Sequence, residues 1–161
     1  MSRKKAIFLY LLGTLGQIWM LSIIVFVLRH FGMVVDYRTP MGIVVIGKGG
    51  VSSALWGTVI AVRYKKYSTK KILKDFFAIK QDRDSYLFVI VFFFLDFCYV
   101  AFDGELAFNT WYIPIILFLK AILFGGIEEV GWRYVFQPVM MERYSYISST
   151  LFTFVSWGIW H

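Results

Sequence analysis

The chain has 161 residues, 59% of them hydrophobic and 20% aromatic, with a mean hydropathy of +0.67. A soluble domain is roughly 45–50% apolar, so a globule of 18.8 kDa has too little interior to hide this surplus. Only 17% of residues are charged, yet the net charge is +7, and the basic residues fall in short blocks between apolar runs. That arrangement excludes a nucleic-acid-binding face, a soluble domain and a disordered tail, and the single cysteine, Cys98, excludes a disulfide scaffold.

Ala6 to Leu28 is uncharged. As a helix it covers about 34 Å, enough for a hydrocarbon core of roughly 30 Å. Ser2-Arg3-Lys4-Lys5 precedes it, but the run is too long for the apolar core of a signal peptide and no small-residue cleavage site follows. The second span is Met41–Val62, interrupted by Gly47-Lys48-Gly49-Gly50. Arg63 to Asp84 then carries eight Lys/Arg. A third span covers residues 85–102 and contains Asp96, and a fourth covers 110–137. After a break at 138–145, the apolar run 146–161 falls short of the roughly 20 residues a spanning helix needs. The chain is therefore expected to end inside its fifth span.

The predicted fold class is all-α: a polytopic transmembrane helix bundle of about five spans, the last incomplete, forming a single membrane domain over residues 1–161. Helices are required because backbone hydrogen bonds must close internally in lipid. With the N-terminus inside, the inner loops hold twelve Lys/Arg and the outer loops two, Arg29 and Arg38. This bias orients the N-terminus to the cytoplasm.

Several polar features read as structural. Gly42-x-x-x-x-Gly47-Lys48-Gly49 lacks the Ser/Thr of a phosphate-binding loop and sits in an apolar helix. Lys48 and Lys120 are expected to snorkel or to pair with an acid such as Asp96. The small residues between Gly47 and Ala54 suit close helix contact, and His30 reads as a loop residue. The basic segment 63–83 sets topology, with attraction to anionic lipid heads as a by-product.

The densest polar cluster at membrane depth is Gly125-Gly126-Ile127-Glu128-Glu129-Val130-Gly131-Trp132-Arg133. On a helix Glu129 and Arg133 are i,i+4 neighbours and can pair, while Glu128 is rotated about 100° away. Two carboxylates in different surroundings are how acid and base roles become separated. His161 ends the string Trp157-Gly158-Ile159-Trp160-His161. Glu128 and His161 are equidistant from Tyr144/Ser145, so in two antiparallel helices joined there they face each other.

Glu128-Glu129-x-x-x-Arg133, followed by an aromatic-x-x-x-His from Trp157 to His161, resembles the CPBP family. That family comprises the type II CAAX prenyl proteases and their Abi-like bacterial relatives, linked to bacteriocin processing and self-immunity. The string from Gly125 to Pro138 looks like the bacterial branch, and the match covers about residues 124–161. Trp157 stands where the family usually has phenylalanine, and Tyr134 where glycine is common. The family's third motif, a later helix ending in a histidine and an asparagine, is not among these residues, and cleavage is expected to need it.

The resemblance implies a membrane-embedded endopeptidase of a bacterial plasma membrane. Glu128 would be the base that activates water, Glu129 and Arg133 an orienting pair, and His161 a second water or transition-state contact. A carboxylate in an apolar site is shifted towards working pH, as general-base hydrolysis requires. The implied partners are membrane lipid and a peptide or protein substrate, prenylated or a bacteriocin-like precursor. A zinc is left open, its candidate ligands being Glu128, Glu129 and His161. Two other readings stand beside the enzyme: a non-catalytic immunity or binding module, and a transporter fragment with Glu128, Arg133 and Asp96 as a relay.

Overall fold

The computed structural model describes residues 1–36, 38–78, 80–103, 112, 119 and 125–161, with 96–103 described by backbone alone, and every regular element among them is helical. Helix α1, Arg3–His30, starts where the Ser2 hydroxyl accepts from the Lys5 N–H at 3.4 Å. Helix α2, Pro40–Gly50, has Thr39 as its cap, accepting from the Gly42 N–H at 3.1 Å, and a proline at its first position. Helix α3, Ser52–Arg63, follows after Val51 alone. Val51 N–H still donates to Gly47 O at 3.0 Å and Leu55 N–H to Val51 O at 2.9 Å, so Pro40–Arg63 is one rod interrupted after Gly49-Gly50. By length and composition, α1 and this rod are long and apolar enough to cross a membrane.

The basic segment contains an element that its composition did not announce. Helix α4, Thr69–Phe76, is capped by Ser68, which accepts from the Lys71 N–H at 3.1 Å. Helix α5, Arg83–Asp103, encloses the expected span 85–102, and Asp82 accepts from the Ser85 N–H at 2.9 Å at its start. The side chain of Asp96, the residue Lys120 and residues 110–111, 113–118 and 120–124 of the expected span 110–137 lie outside the described residues.

Helix α6 covers residues 125–141 and contains a π-helical turn, Trp132–Phe136, followed by Gln137–Met141. The break expected at Pro138 begins instead at Glu142. Proline lacks an N–H, and its ring crowds the carbonyl four residues back. The widened turn, closed by the Gln137 N–H on Trp132 O, takes up that misfit immediately before Pro138. After a turn at 142–145, helix α7, Tyr146–Trp160, starts with Ser145 accepting from the Ser148 N–H at 3.2 Å.

The core lies where α1, α3, α6 and α7 meet. Tyr10 stacks on Phe136 at 4.7 Å and meets the Trp132 ring edge-on at 5.2 Å, and Trp132 reaches Trp160 at 6.3 Å. Between these rings the helices touch through small residues, as membrane helices do. Ser52, Ser53, Ser149 and Thr153 are fully buried, and a methyl group on Gly57 would lie 2.6 Å from the Gly131 Cα. The outward faces are apolar: Phe26 is 73% exposed, and Phe88, Ile90, Phe92 and Phe94 of α5 all exceed 60%. At one end Lys65 pairs with Glu142, and Tyr64 donates its hydroxyl to the same carboxylate. Lys4 and Tyr144 line one groove there, so the N-terminus, the α3–α4 connection and the 142–145 turn share that end.

Candidate active site

Glu128 sits on the α-helical part of α6, thirteen residues before Met141. That is about 20 Å from the end where Lys65 and Glu142 meet. Its carbonyl accepts a hydrogen bond from the Ser53 hydroxyl at 2.6 Å. Because that hydroxyl hydrogen is committed, the contact of 3.2 Å between Tyr10 and Ser53 has the Tyr10 O–H donating. One residue earlier on α3, Ser52 accepts from the indole N–H of Trp160 at 2.9 Å. The neighbours Ser52 and Ser53 thus anchor both α6 and the end of α7.

His161 follows directly. Its Nε2 lies 3.9 Å from Glu128 Oε2, with the glutamate side chain 18% exposed and the imidazole 51% exposed. The imidazole is held edge-on to Trp157 at 4.3 Å and Trp160 at 4.8 Å. Both side chains front a cleft of about 590 Å³ whose other walls include Ile18, Trp19, Ser22 and Ile46. The separation exceeds a direct hydrogen bond. A water about 2.8 Å from each atom would subtend roughly a right angle between them.

Glu129 faces elsewhere. Its Oε2 accepts from Arg133 Nε at 3.2 Å, and this pair lines a second cleft, of about 360 Å³, against Ile72, Asp75, Phe76 and Tyr134. Among the described residues the pair is half-exposed, at 42% and 49%, and is not the buried charge pair that an apolar sequence context suggests. Arg133 also donates to Gln137 Oε1 at 3.3 Å, and Gln137 Nε2 donates to Thr150 Oγ1 at 2.8 Å. A polar chain therefore runs from Glu129 across to α7.

Of the three candidate zinc ligands, Glu128 and His161 converge and Glu129 turns into the other cleft. Among the described residues no three His, Cys, Asp or Glu side chains gather at one point. Catalytic zinc takes three protein ligands, so the described donors do not fit it. The contacts of Ser52, Ser53, Tyr10, Gln137 and Thr150 escape a reading by motif, because each links residues distant in sequence or follows the π turn. Gln137 alone carried a signal, standing i,i+4 from Arg133. Comparison of the chain with protein-family models, with curated proteins and with solved structures finds no match.

Proposed function

We propose that the chain is an integral membrane protein of the bacterial plasma membrane, with about five spans, the last incomplete, and its N-terminus cytoplasmic. It carries a peptidase site of the CPBP type. The observation behind this reading is the pair Glu128–His161, 3.9 Å apart in a shared and largely apolar cleft. Glu128 takes a proton from a water held between the two side chains, the resulting hydroxide adds to a peptide carbonyl, and Glu128 returns the proton to the amine as the C–N bond breaks. His161 steadies the water and the charge that develops. Glu129, Arg133 and Gln137 hold the helix that presents Glu128. General-base help of this kind is worth about 10²–10⁴-fold in rate. The chemistry is that of hydrolysis by carboxylate-activated water, with a hydrophobic or prenylated peptide as substrate.

A second reading is a peptide-binding immunity module, favoured by the chiefly apolar walls Ile18, Ile46 and Ile127 of the cleft. One experiment separates the two. The protein is expressed from its gene, reconstituted in liposomes, and given a prenylated and an unmodified hydrophobic peptide. In a parent that also carries the family's third motif, hydrolysis should appear and be lost in Glu128→Ala, with helical content and thermal midpoint unchanged. Peptide binding without cleavage, equal in both proteins, would select the module. Undiminished cleavage by Glu128→Ala would overturn the assignment of the base.

A further inference from the structure

Helix α4 is fixed to the protein by one face. Ile72 is 6% exposed, the Tyr134 hydroxyl donates to Asp75 Oδ2 at 2.6 Å, and the Phe76 ring lies 3.6 Å from where a Gly126 methyl would be. With that face turned inward, Leu73 and Phe77, spaced i,i+4, point away from the described protein at 59% and 67% exposed. A second i,i+4 pair, Lys70 and Lys74, is exposed beside them. Lys71 is engaged, donating to Asp75 at 2.7 Å.

We propose that α4 docks on an anionic lipid leaflet, with Leu73 and Phe77 among the acyl chains and Lys70 and Lys74 on headgroup phosphates. The apolar pair alone would suit any greasy surface; the flanking cations select among them. Residues 63–84 hold eight Lys/Arg against three aspartates, so a second copy of this chain would bring the same positive charge to the contact. Anionic lipid brings the complement, and amphipathic helices with basic flanks bind it through buried apolar area plus Coulomb attraction. Position agrees, since α4 begins six residues after the rod Pro40–Arg63 ends. Docking would also fix one wall of the Glu129–Arg133 cleft, because Ile72, Asp75 and Phe76 line it. The inference rests on the membrane-spanning reading and not on peptidase chemistry.

The test places an environment-sensitive dye on Leu73→Cys in a Cys98→Ser background, reconstituted in two kinds of vesicle. One is phosphatidylcholine alone; the other carries a third phosphatidylglycerol. In the anionic vesicles the emission should move to the blue, and the dye should be shielded from acrylamide, a neutral quencher. High salt should reverse both effects. Each lysine near such a surface favours docking by about fivefold, so Lys70→Gln with Lys74→Gln should weaken it roughly 25-fold. Glycerol 3-phosphate added to neutral vesicles should change nothing. Equal emission and quenching in the two vesicles would overturn the proposal. So would a shift that tracks protein density in the bilayer and not lipid charge, since that marks a second copy as the occupant.

Discussion

Glu128 and Glu129 are neighbours in sequence whose side chains line different clefts, because a helix turns about 100° per residue. Glu129 has a permanent cation beside it, and Glu128 has the imidazole of His161 and an open cleft. The half-exposed Glu129–Arg133 pair adds only a few tenths of a kcal/mol, so its value lies in orientation. Carboxylates outside the apolar helices contribute more visibly to stability. Burial acts to raise Glu142, but the hydrogen bonds from Lys65 and Tyr64 outweigh it and hold its carboxyl below the usual range. Hydrogen bonds from Lys71 and Tyr134 do the same for Asp75. A carboxyl lowered on folding adds stability above its unfolded value, about 4.3 for glutamate, and loses it as pH falls through the folded one. The thermal midpoint in detergent should therefore drop as the pH falls below about 5. Glu142→Gln should melt lower at neutral pH by roughly 0.5–1 kcal/mol of stability and converge with the parent in acid. A parallel, non-converging pair of curves would show that Glu142 does not stabilise through its charge.

At the scale of elements the decisive contact is the crossing of α3 with α6, where Gly57 meets Gly131 backbone to backbone. Gly57→Ala must push two helices apart, at a cost of about 1–3 kcal/mol. Gly16→Ala, on an α1 position with nothing within 4 Å, should be neutral or slightly stabilising. Melting curves of the two variants make the comparison, and equal behaviour would remove the crossing from the account. This contact also marks what a sequence can disclose. The Glu129–Arg133 pair and the facing of Glu128 with His161 were readable, since helix periodicity and distance from a turn are local rules. The course of α6 through Pro138 was not, because a π turn has no signature beyond the misfit it relieves. Nor was α4 legible: its lysines read as a topology signal, and Ser68 and Ile72 reveal a helix only once Tyr134 and Gly126 are beside it.

For the whole molecule, the packing brings charges from the N-terminus and two connections to one end. Arg3, Lys4, Lys65 and Glu142 gather at the same end, where the proposed topology needs them. In a Cys98→Ser background, a cysteine at Lys70 should react only with reagents that reach the cytoplasm, and one at Asn109 only with external ones. The opposite pattern would invert the protein in the bilayer. One further property belongs to the assembly as a whole. The outer helices present apolar faces, and in the proposed bilayer setting they would follow the thickness and tilt of the lipid around them. Glu128 and Trp160, the residue before His161, are both fastened to the dipeptide Ser52-Ser53. The two partners are thus measured from a common benchmark, and the bilayer can lean on the periphery without changing the gap across which they meet.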